Sequence, residues 1–249
     1  MTPIWNAMGA RPAEGKAELQ DVFVLAAERF LKTHSPSVAE YKAMDAIMTC
    51  RTVKQGGHVD HCDQCGYEKP SYNSCRNRHC PKCGGLAKER WLSLRLSTVL
   101  DVQHLHMVFT VPSELNAVAI ANKSAFYSLM FRCVADTIRA VCGEQGFSPG
   151  FSAVLHTWGS NLEFHPHLHV PITAGGLSTD GGKWVSAKKT RHGKSLASGK
   201  YYIAPVRKLS RLFRGKLVSA IRQAHTRGDI RFDDARLSGI LDAAMAKEW

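Results

Sequence analysis

The sequence predicts an α+β protein in two parts: a helical, cysteine-rich N-terminal module, then an antiparallel sheet with helices packed on it. Three observations carry that prediction. Six of the eight cysteines fall between Cys50 and Cys83, a density that marks a small metal-stabilised segment. Beyond residue 100, strand-like and helical stretches interleave, the pattern of a sheet covered by helices. Two of the strand-like runs, 151–158 and 164–173, flank Gly159-Ser160-Asn161, so they can pair as a hairpin. At 249 residues and 44% hydrophobic content, the chain suits one large domain or two modest ones with real cores.

Residues 1–16 read as a loose tail of small residues and proline. Leu19, Val22, Phe23, Ala26, Ala27 and Phe30 repeat at helical spacing. Ser35-Pro36 reads as the cap and first turn of a second helix running toward Met48. Gly56-Gly57, Tyr72-Asn73-Ser74 and Cys80-Pro81 punctuate residues 50–83 as loops. A basic helix over about 86–100 has Trp91, Leu94 and Val99 available for packing. His104 to Val111 reads as a strand ended by Pro112, because proline cannot continue a ladder. Residues 113–142 read as helical in two pieces. Residues 175–199 form a Gly/Lys/Ser loop with a short strand at 183–185. A further strand is expected at 201–206 and a basic amphipathic helix at 206–224. The chain therefore reads as a tail at 1–16, a helical cysteine-rich module at 17–100, and the sheet domain at 101–249. There is no internal repeat.

Charge narrows the partners. With 33 Lys+Arg against 21 Asp+Glu, the chain carries +12 and a pI near 9.5, which favours polyanions, nucleic acid first. No apolar run approaches a membrane span and the N-terminus lacks a signal peptide's apolar centre. A cytoplasmic location with reduced cysteines is expected. From Gly181 to Gly228 there are thirteen Lys/Arg and no Asp or Glu. Such a run is either a solvated face or a phosphate-tracking surface, with Lys188, Lys189, Arg191, Arg207, Lys208, Arg211 and Arg214 as the contacts.

Cys62-x-x-Cys65 and Cys80-x-x-Cys83 can set four thiolates around one tetrahedral zinc, two from each short turn. Cys50, His58, Cys75 and His79 interleave with them in cross-brace order and would hold a second ion. The alternative is that Cys50 is a buried apolar residue and His58 a surface imidazole. Closed sites of this kind fold a segment rather than catalyse. Arg76, Arg78, Lys82 and Lys88 surround the ligands, which suits a finger that grips a DNA backbone.

His165-Pro166-His167-Leu168-His169 is the second constellation. Side chains alternate faces in a strand, so the three imidazoles point one way. A lone strand histidine is usually structural; three on one face can hold a divalent ion against a phosphate oxygen as a Lewis acid. His167 and His169 are the expected ligands, with His165 as the third.

His167-Leu168-His169 matches the His-hydrophobic-His signature of the HUH endonucleases. Longer motifs add to it: Cys50-Arg51-Thr52, Gly56-Gly57-His58, Cys62-Asp63-Gln64-Cys65-Gly66, Tyr72 through Cys83, His106-Met107-Val108-Phe109-Thr110, Leu155-His156-Thr157-Trp158-Gly159 and Leu209 through Arg214. From about Leu19 to the end, the chain resembles the rolling-circle transposases of the insertion-sequence ninety-one family. The resemblance implies a zinc-binding domain that helps recognise element ends and an HUH-type antiparallel sheet with helices on it. It implies Mg²⁺ or Mn²⁺ held by the histidines on the scissile phosphate of single-stranded or hairpin DNA. It also implies a tyrosine that attacks to leave a 5′-phosphotyrosine and a free 3′-OH. The covalent link stores the bond energy for rejoining.

The family's nucleophiles form a Tyr-x-x-x-Tyr pair on one helical face, and no such pair occurs here. Tyr201 and Tyr202 are adjacent in an expected strand and would face opposite ways. The nucleophilic pair is therefore expected beyond Trp249, in a chain read as truncated. Two functional readings follow: a transposase unit whose nucleophile lies elsewhere, or a non-catalytic DNA-binding fragment, with self-association possible in either. A third is an unrelated zinc-stabilised binding module whose histidine strand is core.

Overall fold

The computed structural model describes residues 17–189, 200–247 and 249; the expected tail and the candidate contact Arg191 lie outside them. The chain divides into two compact units, Met1–Val99 and Leu100–Trp249.

In the first unit, α1 (Leu19–Thr33) buries Ala27 and turns its apolar side toward α2 (Val38–Thr49). Ser37, not Ser35, caps α2. Its hydroxyl accepts from the Glu40 backbone N–H at 3.3 Å while the Glu40 carboxylate accepts from the Ser37 N–H at 2.7 Å. Glu three residues after the serine makes this reciprocal box possible, and Ser35 has no such partner. The segment expected to be loops contains a hairpin, β1 (Gly57–His61) and β2 (Glu68–Tyr72), paired antiparallel. Its strands are almost wholly exposed, so no alternation of apolar and polar residues announced them. Helix α3 (Pro81–Leu96) starts earlier than expected, because Pro81 at its first turn loses no helical hydrogen bond. The unit's buried centre is small: Ile47, Cys50 and Cys80, with Phe23, Cys75 and Cys83 packed against them.

The second unit is built around one long strand. In chain order it comprises β3 (His104–Thr110), α4 (Asn116–Ala121), α5 (Lys123–Gly143), β4 (Phe147–Phe151), β5 (Val154–Trp158), β6 (Phe164–Ser178), β7 (Trp184–Ser186), α6 (Val206–Thr226) and α7 (Asp234–Ala246). β3 and β5 both pair with residues 167–169 of β6, and β4 and β7 both pair with 176–177. A strand has two edges, so with β3 and β4 on opposite ones, β3 and β7 line one edge and β4 and β5 the other. Every pairing is antiparallel. The expected hairpin is present as β5 and β6. The expected strand at 201–206 is not: Tyr201 makes an isolated bridge to Lys189, and α6 begins at Val206 behind Pro205. The Tyr-Tyr-Ile run has strand propensity but no ladder to join.

Leu168, Val170 and Ile172 are fully buried on one face of β6. Phe126, Met130, Val134, Ile138 and Val141 of α5 and Phe213, Leu217 and Ile221 of α6 join them in one core. Their spacing of three and four is the apolar stripe of a surface helix. Each fully buried side chain of this size contributes about 1.5–3 kcal/mol. Gly176 is obligatory, since a Cβ there would lie 1.9 Å from the Ser148 carbonyl oxygen on β4. One face of the sheet is thus given over to the core, and the opposite face of β6 carries the histidines.

Candidate metal centre and DNA-binding surface

Four thiols converge in the first unit. The sulfurs of Cys50, Cys75, Cys80 and Cys83 all lie within 4.8 Å of one another, with Cys50–Cys83 at 3.4 Å and Cys75–Cys83 at 3.6 Å. Four such donors suit tetrahedral zinc. Burial pushes the Cys83 thiol up, but hydrogen bonds from Cys50, Cys75 and the Arg76 backbone outweigh it and bring it to about 7. Burial drives Cys75 the other way, to about 12. One sulfur ready to ionise among neighbours that share its charge is a seat for a cation.

This grouping corrects the one read from spacing. Cys62 and Cys65 sit at the tip of the β1–β2 hairpin, whereas Cys50 and Cys75 flank its base. At about 3.3 Å per residue, strands of this length hold the tip roughly 17 Å away. Cys80 and Cys83 therefore gather with Cys50 and Cys75, and the cross-brace partition fails. His58 and His79 do not join the thiol cluster: His58 faces Asp60 at 3.5 Å and His79 accepts from Arg78 at 3.2 Å. The tip itself is a formed turn. Cys62 N–H donates to the Tyr67 carbonyl at 2.9 Å, Gly66 N–H donates to the Cys62 carbonyl at 2.8 Å, and Gly66 has φ +72°. Backbone N–H groups of Cys65 and Gln64 directed at the Cys62 sulfur lower its pKa.

In the second unit, the imidazole nitrogens of His156, His167 and His169 come within 4.8 Å of one another. His156 is opposite His167 in the β5–β6 register, and its ring lies 4.3 Å from that of His169 and 5.3 Å from that of His167. His167 and His169 share the exposed face of β6, 5.0 Å apart. His156 thus completes the cluster in place of His165, whose ring lies tilted beside that of His167 at 5.2 Å. Its backbone plays another part, because the His167 Nδ1 lies 2.7 Å from the His165 carbonyl oxygen. A carbonyl can only accept, so the proton sits on Nδ1 and Nε2 keeps the lone pair. Burial lowers the His169 pKa, and the nearby His156, His167 and His106 lower it further. Neutral imidazoles are the form that binds metal. His156 was missed because the cluster depends on register. The sequence showed both the hairpin and the Leu155-His156-Thr157-Trp158 motif without the pairing that joins them.

Comparison with known proteins follows these two sites closely. Residues 22–111 match the family model described as "Transposase zinc-binding domain", and residues 150–249 match that described as "Putative transposase". The first span contains the thiol cluster and the second the histidine cluster. The chain belongs to the IS91 family of transposases. "Putative transposase y4qJ" of Sinorhizobium fredii is 41% identical over 88% of this chain and 54% of its own length. The transposase of insertion sequence element IS801 from Pseudomonas savastanoi is 32% identical over 57% of this chain and 35% of its own. The chain spans about half the length of the first of these relatives. Among solved structures, the conjugative relaxase TrwC in complex with OriT DNA, in a copper-bound form, has a TM-score of 0.35 at 12% identity, covering 62% of this chain and 68% of that one. A metal-free form scores 0.34 at 12% identity over 61% and 70%.

On this IS91-family chain the basic candidates divide. Arg207 and Arg211 stand exposed on α6, and Lys188 is exposed beside β7. Lys189 lies 4.7 Å over the Tyr201 ring. Lys208 pairs with Glu144, and Arg214 donates to the Lys247 carbonyl, so both are engaged within the fold. Arg76 and Arg78 flank the thiol cluster, Arg76 at φ +52°. Among the described residues, no helix is long and apolar enough to cross a membrane.

Proposed function

We propose that this chain is the part of an IS91-type rolling-circle transposase that binds single-stranded element ends and holds the scissile phosphate against a divalent ion. The observation that carries the reading is the three-imidazole cluster on an exposed sheet face. The donor set fits a cation: three imidazole nitrogens converge, and the His165 carbonyl fixes one of them for ligation. His156, His167 and His169 would hold the ion, which polarises a phosphate oxygen and favours attack at phosphorus. Imidazoles select Mn²⁺ over Mg²⁺, whose octahedral shell is built from oxygen, and take later first-row ions more tightly still. Cys50, Cys75, Cys80 and Cys83 would hold a structural zinc that folds the N-terminal unit.

The attacking tyrosine is proposed to come from outside these 249 residues. Tyr202 N–H donates to the Lys188 carbonyl and Ala187 N–H to the Ala174 carbonyl, so Tyr201 and Tyr202 border the far end of β6. Ala174 is five residues from His169, about 17 Å along the strand. Without an in-line nucleophile, the positioning advantage of roughly 7–11 kcal/mol is missing.

The test uses labelled single strands and duplexes of element-end sequence, with and without Mn²⁺. Single strands should be favoured, Mn²⁺ should strengthen binding, and His167→Ala with His169→Ala should remove that gain. A denaturing gel should show no covalent band. Equal, Mn²⁺-independent binding of duplex would contradict the reading. A covalent band lost on Tyr201→Phe or Tyr202→Phe would contradict the assignment of the nucleophile.

A further inference from the structure

His106 faces the histidine cluster diagonally across the sheet. Val108 pairs with His169 and His106 with Pro171, so all four share one face. The His106 Nε2 lies 2.9 Å from the His169 Nδ1, and the two rings stack 5.0 Å apart at 12°.

A hydrogen bond between two imidazole nitrogens needs one to donate and the other to accept. With its Nδ1 engaged by His106, His169 has Nε2 left for an ion, and that nitrogen must carry the lone pair. The proton of His169 therefore belongs on Nδ1, directed at His106. The His106 Nε2 must accept, which puts the His106 proton on its own Nδ1. We propose that His106 is a positioning residue that fixes the tautomer and ring orientation of His169 as a metal ligand. His167 has its Nδ1 fixed by the His165 carbonyl, so two neighbouring ligands present Nε2 through different acceptors. One acceptor is backbone and the other is a side chain. Partners of this kind set ligand basicity and geometry. The inference rests on the reading of the histidine cluster as a metal site.

His106 is exposed, so its truncation leaves the core intact. The experiment compares the parent chain with His106→Ala, His106→Gln and His156→Ala. Mn²⁺ affinity is measured by paramagnetic titration, histidine tautomers by ¹⁵N NMR of the ion-free proteins, and folding by thermal melting. In the parent, His169 should be the Nδ1–H tautomer. In His106→Ala it should become a tautomer mixture, and Mn²⁺ affinity should fall by about 10–100-fold. His106→Gln offers an amide oxygen as acceptor and should recover most of the affinity, with all melting temperatures alike. Unchanged affinity and tautomer in His106→Ala would overturn the proposal. So would a glutamine variant no better than alanine. If the parent binds no ion, and His156→Ala makes no difference, the metal reading itself fails. The tautomer measurement then still decides whether His106 orders His169.

Discussion

At Cys62 and Cys75 the two zinc groupings make opposite demands. If Cys62 shared an ion with Cys80, its removal would empty that site. With the sulfurs gathered as they are, Cys62→Ser together with Cys65→Ser should leave the zinc at Cys50, Cys75, Cys80 and Cys83 in place. Cys75→Ser should release it and unfold the N-terminal unit, since a core this small relies on the metal for folding energy. Zinc content by mass spectrometry and circular dichroism of the variants check both outcomes. Loss of the clustered zinc on Cys62→Ser would restore the cross-brace. The Cys-x-x-Cys spacing was legible in the sequence because it is local. Which pairs share an ion was not, because it depends on where a hairpin of exposed strands puts its tip. The histidines divide the same way. His167 and His169 follow from the two-residue period of a strand, whereas His156 and His106 enter through register with β5 and β3.

Among the elements, α6 and α7 are joined at a titratable contact. His225 Nε2 lies 2.5 Å from Asp234 at the start of α7, and its Nδ1 lies 3.0 Å from the Ile230 carbonyl. The Asp234 carboxylate raises the His225 pKa, aided by that carbonyl. A group whose pKa is raised on folding adds stability in full below its unfolded value, about 6.5. That stability is lost as pH rises through the folded value. The melting-temperature difference between the parent and His225→Gln should therefore be largest near pH 5.5 and shrink toward pH 8.5. A difference that grows with pH would contradict the contact. Gly176→Val should destabilise the sheet at every pH, because the Ser148 carbonyl occupies the space of its Cβ; thermal melting checks it. Helices were the most legible elements, since their apolar stripes and caps are local. The strand expected at 201–206 failed for want of a pairing partner. β1 and β2 were missed because neither face is buried.

For the whole molecule, the excess of +12 should appear as salt-dependent DNA binding. Each phosphate contact contributes a slope of about 0.7 in log affinity against log salt for single strands. Arg207→Ala with Arg211→Ala should lower that slope by about 1.4, as followed by fluorescence anisotropy across a salt series. Arg214→Ala should act mainly through stability, because its guanidinium ties α6 to the Lys247 carbonyl. The proposed ion site is narrower than DNA binding: His156, His167 and His169 would hold the ion between β5 and β6. A Mn²⁺ titration of parent, His156→Ala and His165→Ala tests it most directly. His156→Ala should weaken binding by about tenfold or more, on the order expected for disturbing a ligand's shell. His165→Ala should stay close to the parent, because the His165 carbonyl that orders His167 survives the substitution. Retained affinity in His156→Ala with loss in His165→Ala would contradict it.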